Sequence, residues 1–225
     1  MSITRPPRVV TSRFGLAQSW SLRSYLASGG YQGLRKALGM KPEEVQQAVL
    51  AASLLGRGGA GFDAGRKWAM LRKSKPVYLV VNGDESEPAT FKDHALMEGD
   101  PHQLIEGSLI CAYAIGADQV FIYVRGEMAL AQERVQAALN EAYEHGAVGR
   151  DIFGSGFSVD IVVHPGAGAY ICGDETALLE SLEGKRGFPR VKPPYYPAVM
   201  GLYGAPTVVN NVETMSNLPW LILNG

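Results

Sequence analysis

Three clusters in the sequence combine residue types that could hold a charged, flat ligand. The run Gly56-Arg57-Gly58-Gly59-Ala60-Gly61-Phe62 satisfies G-x-G-x-x-G through Gly56, Gly58 and Gly61. Gly58 and Gly59 leave backbone N–H groups uncovered, and Arg57 and Lys67 put positive charge nearby, a combination suited to an anionic or planar group. A tight turn between two helices would use the same residues. In the second cluster, Asn82-Gly83-Asp84-Glu85-Ser86-Glu87-Pro88, three carboxylates fall within four residues. Carboxylates just after a buried strand can accept hydrogen bonds from ribose hydroxyls, and Asn82 can donate and accept at once. The alternative is a solvated loop that caps the next helix. In the third, Gly166, Gly168 and Gly173 flank Tyr170, with Asp174 and Glu175 behind. Small residues around one aromatic let a ring lie against the backbone, although acids at a helix start also complement its dipole.

Other chemistries find few residues to run on. Cys111 and Cys172 stand far apart with no partner at metal-ligand spacing, so a disulfide framework and an iron–sulfur cluster do not explain this segment. Cys172 reads as buried packing. His94, His102, His145 and His164 show no metal spacing and no nucleophile–base arrangement, and read as surface or capping residues. An enzyme built this way leaves the reaction to a cofactor.

These clusters must be positioned by a fold, and the pattern between them alternates strands with helices. Pro42 suits a first helical position, and Val45, Ala48, Val49 and Ala52 recur at helical spacing, so a helix leads into the glycine run. The dinucleotide fingerprint needs a strand there instead, which disfavours an ordinary Rossmann first turn. Residues 66–72 read as a short helix and 77–81 as a buried strand. Asp100 and Pro101 start a helix to about residue 115, residues 119–124 form the next strand, and a helix over 127–145 ends at Gly146. A third strand over 158–164 precedes a helix over 174–183 that stops at Gly184. Residues 185–206 hold Pro189, Pro193, Pro194, Pro197 and Pro206, which forbid a long helix or central strand and leave a binding loop. From Thr207 the chain starts a new helix around Glu213. The expected class is α/β, a Rossmann-like parallel sheet flanked by helices, with a non-standard glycine-rich cofactor loop preceded by a helix. Residues 1–40 read as an extended arm with short helical pieces, and 41–225 as the ligand-binding domain.

Composition agrees with a sizeable folded core: 225 residues, 46% hydrophobic and 19% charged. A net charge of −1 with no basic stripe gives nucleic-acid binding little support. No apolar run reaches bilayer length, and the N-terminus lacks a signal-like apolar region. The 27 glycines exceed the usual share of about 7% and are clustered, as backbone that turns tightly or lies against something requires.

Three ordered blocks resemble one family: GRGGAGFDAGRKW (residues 56–68), NGDESEPATFKD (residues 82–93) and the stretch 166–214 with GAGAYICGDETALLESLEG, KPP and PTVVNNVET. They resemble the flavoprotein subunit of respiratory complex I, NADH:quinone oxidoreductase. The resemblance implies a cytoplasmic-side peripheral subunit, or a matrix-side one in a eukaryote, that binds FMN and NADH and transfers hydride between them, with no catalytic side chain and no metal in this chain. By that resemblance Gly56, Arg57, Gly58, Gly59, Lys67, Asn82, Asp84, Tyr170, Asp174, Glu175, Asn210, Asn211 and Thr214 surround FMN, the Asn pair toward its phosphate, and Ala60, Gly61, Gly65, Glu85, Gly173 and Val209 belong to the same cofactor-binding set. Phe62 packs on adenine, Glu87 and Glu175 reach ribose, and Lys192 lies near the pyrophosphate. Tyr195 and Tyr196 stand where the family has one aromatic, so either could face the nicotinamide nucleotide.

The family carries Glu where Asp174 stands and Pro-Thr where Asp63-Ala64 stand. Its members continue into a ubiquitin-like domain and a helical bundle whose cysteines hold a four-iron cluster, so a fragment is expected, with other hydrophilic-arm subunits, notably a thioredoxin-like 2Fe–2S subunit, as partners. A diaphorase subunit of an NAD-dependent formate dehydrogenase or hydrogenase, and a non-catalytic assembly module of the same fold, are the competing readings.

Overall fold

Runs of aliphatic residues at four places in the chain build a parallel sheet. In the computed structural model, which describes residues 8–225, these are β1 (Tyr78–Gly83), β2 (Gln119–Val124), β3 (Asp160–Pro165) and β4 (Thr207–Asn211), in the order β3-β2-β1-β4 with every pair parallel. Leu79, Val81, Val120, Ile122 and Val208 enter the main core on one face. Val80, Tyr123 and Val209 enter a smaller core on the other. Covering both faces is what makes such strands read as continuous apolar runs rather than alternating ones.

The helices are α1 (Leu22–Ala27), α2 (Gln32–Leu38), α3 (Pro42–Ala51), α4 (Ala64–Ala69), α5 (Lys92–Gly99), α6 (Pro101–Ile115), α7 (Ala129–Glu144), α8 (Glu175–Leu182), α9 (Pro197–Met200), α10 (Val212–Ser216) and α11 (Leu218–Asn224). α6 lies at the centre, every residue but Tyr113 buried. It packs against α2, α3, α7, α10 and α11. A helix apolar nearly all round belongs in a core. A side-chain carbon at Gly107 would collide with the Met215 carbonyl oxygen of α10, so this position must stay bare for the two helices to meet. Among the described residues no helix is long and apolar enough to cross a membrane.

Several expectations shift. Residues 9–20 are a chain of turns rather than an extended arm, because Arg13 folds back to Asp100 (2.6 Å) and to Gln103. Asp100 precedes α6 as expected but makes no capping bond, its carboxylate being taken by Arg13. α5 forms from a stretch with little apolar period of its own. α4 begins two residues earlier than expected, capped by Asp63, whose carboxylate accepts from the Arg66 N–H. His102 is fully buried, not a surface residue: it bridges Tyr31 and Glu141, both at 2.9 Å. The largest correction is β4. The sequence pattern places Thr207–Asn211 in the approach to a helix, yet these five residues pair with β1 along their whole length before α10 begins.

β4 matters for function because it fixes where the strand order reverses. From β1 the chain moves outward to β2 and β3, then returns to the other side of β1 as β4. Ligands of open parallel sheets bind outside the carboxyl ends of the strands at such a reversal.

Candidate functional site

A cleft of about 540 Å³ opens at that point, between the carboxyl ends of β1 and β4. All three clusters line it: Arg57, Gly58 and Gly59; Asn82, Asp84, Glu85 and Glu87; Tyr170, Gly173 and Asp174, with Asn211 from the end of β4.

The glycine wall connects α3 to α4. Gly56 N–H donates to the Phe62 carbonyl (2.9 Å), and Leu55 bridges to Asp63, so the run is a closed loop. It is preceded by a helix, as the sequence pattern predicts. The Arg57 N–H donates to the buried hydroxyl of Thr214 (2.9 Å), which ties the loop to α10. Gly59 sits at φ +110°, a conformation closed to side-chain-bearing residues. Gly58 lies beside Asn211, with just van der Waals room between them. Among the described residues, the N–H groups of Gly58 and Gly59 have no protein acceptor. They are free donors in the lining of the cleft.

The acidic wall is more ordered than a solvated loop. Asn82 spends its amide on the Gly173 carbonyl (2.9 Å) and its oxygen on the Asp84 N–H (3.1 Å), joining the second and third clusters. Glu85 accepts from the N–H groups of Asp93 (2.7 Å) and His94 (3.1 Å) and from the His94 ring (2.8 Å), so its carboxylate caps α5. Burial opposes its charge, but those bonds outweigh it and hold its pKa below the ordinary range. Asp84 is buried, takes one bond from Ser86 (2.5 Å), and leaves Oδ1 with no partner. Burial raises its pKa. Tyr170, 60% exposed, donates its hydroxyl to Glu87 (2.7 Å) and closes the rim.

Beside the cleft, Glu175 is held between two cations: Lys67 at 3.2 Å on one oxygen and Lys192 at 2.8 Å on the other. Lys67 also donates to the Val209 carbonyl (3.0 Å). Burial opposes ionisation of Glu175, but the two lysines prevail and lower its pKa. Asp174 caps α8, accepting from Thr176 N–H (2.8 Å) and Ala177 N–H (3.1 Å); it serves the helix dipole and lines the cleft as well.

The Asn pair divides, since neighbouring strand residues point to opposite faces. Asn211 lines the cleft and bonds to Asp93 (2.6 Å) and Lys92 (3.1 Å). Asn210 is buried, with its amide beside the Trp68 indole; the orientation that satisfies both groups has the amide oxygen accepting from the indole N–H at 2.9 Å. Ala60, Gly61 and the half-exposed Phe62 continue the loop beyond the cleft lining, and Gly65 is packed against Leu50. Tyr195 lines a second cleft, with Arg190 and Tyr203, and Tyr196 precedes α9. Lys92, Asp93, Ser86 and Thr90 also line the main cleft, although the motifs alone do not single them out. All four fall within or beside the acidic motif, and Lys92 donates to the same Asn211 that lies against Gly58.

This arrangement offers free backbone donors and a buried acceptor to one ligand, beside the positive charge of Lys92, which is shared with Asp93 (2.8 Å) and Glu213 (3.2 Å). A family model described as the Nuo51 FMN-binding domain matches residues 49–220. The chain is 55% identical over 207 residues to the second NADH-quinone oxidoreductase F subunit of Rhizobium meliloti, covering 91% of this chain and 49% of that protein. It is 55% identical over 206 residues to the NADH-quinone oxidoreductase F subunit of Aquifex aeolicus, covering 91% and 48%. Thus the chain spans about half the length of the curated relatives it matches. The crystal structure of an NAD+-reducing NiFe hydrogenase in the H2-reduced state superposes with TM-score 0.80 at 40% identity, over 91% of this chain and 35% of that one. Because the matched residues run through the glycine loop, the acidic loop and β4 in the order that builds the cleft, the chain belongs to the Nuo51 FMN-binding domain family.

Proposed function

We propose that this chain is the electron-entry domain of an NADH-oxidising respiratory complex, holding FMN in the β1/β4 cleft and seating NADH over it. The observation that carries the reading is the pair of acceptor-less N–H groups at Gly58 and Gly59, in one cleft with Lys92 and the unpartnered buried oxygen of Asp84. Those groups fit FMN: donors and a cation for a phosphate, an acceptor for a ring or ribitol N–H or O–H. When bound, FMN supplies the two-electron chemistry by accepting hydride from a reduced nicotinamide.

The protein's part is positional. Gly58, Gly59, Lys92 and Asn211 hold the phosphate end, and Asn82 and Asp84 set the ring edge. Gly173 leaves space for a flat group to lie against the chain. Phe62, exposed beside the cleft, offers a face on which an adenine stacks, and Tyr170, exposed at the rim, stands beside the flavin over which the nicotinamide lies. Glu87 and Glu175 accept from ribose hydroxyls, and Lys192 neutralises the pyrophosphate. Holding two rings face to face supplies the rate without an acid or base.

The partner reading is a complex with a thioredoxin-like 2Fe–2S subunit and a four-iron cluster beyond the matched half, on the cytoplasmic or matrix face of the membrane. A second reading draws on the hydrogenase likeness: the same site run toward NAD+ reduction. The test is to reconstitute the chain with FMN and add NADH without oxygen. Bleaching of the flavin band is expected, and a chain that takes up no FMN would refute the reading. Reduction potentials in the assembled complex separate the two directions.

A further inference from the structure

The stretch over residues 185–206 is mostly irregular, yet Lys192 within it is placed on Glu175. What places it is Arg190. The Arg190 guanidinium donates from all three nitrogens: Nε to Glu180 (2.5 Å), Nη2 to Glu183 (2.7 Å) and Nη1 to the Gly201 carbonyl (2.7 Å). Its own N–H donates to the Thr176 hydroxyl (2.9 Å), the hydroxyl that in turn bonds Asp174. One residue, its side chain only 12% exposed, therefore joins the loop to both ends of α8: the backbone N–H holds the N-terminal end at Thr176, and the side chain holds the C-terminal end together with Gly201. Glu183 is a second junction, also accepting from Lys185 (2.6 Å) and Tyr203 N–H (2.7 Å).

We propose that Arg190 is a positioning residue for the nicotinamide nucleotide: it bolts the loop to α8 so that Lys192, two residues on, is held at the rim of the cleft. This rests on the dinucleotide reading of the site. Arg190 is assigned no ligand contact, because each of its three side-chain nitrogens already donates to an acceptor inside the protein. A lysine cannot replace it, since the three acceptors are met by three separate nitrogens of a planar guanidinium, a span that one ammonium nitrogen does not cover. Geometry rather than charge is the asset.

The test uses the FMN-loaded chain and measures ADP-ribose affinity, FMN content and cleavage in residues 185–206 by limited proteolysis. R190K and R190Q should each weaken ADP-ribose binding about tenfold, the loss of one well-placed cation–phosphate contact, and, with ferricyanide as the electron acceptor, raise KM for NADH with kcat held. FMN content should not change, and loop cleavage should quicken. The double variant R190Q/E180Q removes the carboxylate whose one hydrogen bond comes from Arg190, and should fold and show the same weakening. Wild-type affinity in a folded R190Q or R190Q/E180Q, full rescue by R190K, or parallel loss of FMN would overturn Arg190's role alone. A wild-type chain that keeps FMN but binds no ADP-ribose would overturn the dinucleotide reading beneath it.

Discussion

Thr214→Val tests whether the glycine wall is held in place from behind. Thr214 is fully buried, so it contributes to the cleft through its hydroxyl, which accepts the Arg57 N–H at 2.9 Å. Valine keeps the shape and deletes the acceptor. The Arg57 N–H then has no partner, and a lost bond of this kind costs about 1–2 kcal/mol when the group stays dry. In the free chain the loop can swing out to hydrate that N–H, whereas FMN binding through Gly58 and Gly59, as proposed, needs it back in place. The cost then falls on the bound state, so FMN affinity should fall about 5- to 30-fold at those energies. Thr214→Ser, which keeps the hydroxyl, should bind FMN far closer to wild type while losing some stability from the missing methyl. FMN titration by quenching of flavin fluorescence reads both. If Val and Ser weaken FMN equally, packing rather than the hydrogen bond anchors the loop, and the argument is wrong.

Three further outcomes follow from the structure. Gly59→Ala forces a side chain into φ +110°, a strain of about 1–3 kcal/mol; FMN binding should drop and the melting temperature fall by about 2–12 °C, and a normal FMN Kd would show that the loop has other solutions. Gly107→Ala should destabilise by more than about 2 kcal/mol, since the new methyl meets the Met215 carbonyl between two packed helices; denaturant melts showing under half that cost would refute the close approach. Burial, against the pull of Arg13, raises the Asp100 carboxyl from 3.8 to about 6. A raised folded-state pKa means the folded chain binds that proton more tightly, so its contribution favours folding below the unfolded value and fades as pH climbs through about 6. By linkage the stability of Asp100→Asn relative to wild type should rise by roughly 3 kcal/mol between about pH 4 and pH 7, and a flat difference would contradict it.

Much of the fold is legible in local pattern. β2 coincides with its predicted residues, and Gly146 and Gly184, both at positive φ, end the regions after α7 and α8 as a helix-stopping glycine should. What local pattern does not supply is pairing. Thr207–Asn211 is a strand because β1 offers it a parallel edge, and five residues that run into a helix give no period of their own. Without β4 the reversal point of the sheet has no trace in the sequence, and neither does the reason the three clusters converge. The roles of Asn210 and Asn211 diverge for a related reason: adjacent letters on a strand face opposite ways. Arg190 gives no local signal because its partners are spread over residues 176–201 and become neighbours only when the loop folds onto α8. His102 and Glu85 have the residue types of surface groups; tertiary partners make one a buried bridge and the other a helix cap.

A crystal structure of the chain grown with FMN shows whether the flavin lies in the cleft between β1 and β4, as proposed. Phosphate density is expected within hydrogen-bond reach of the Gly58 and Gly59 N–H groups and near Lys92, with the ring edge at Asn82 and Asp84. Flavin density in the second cleft beside Arg190 and Tyr203, or at the glycine loop with its phosphate pointing away from Gly58, would contradict that placement.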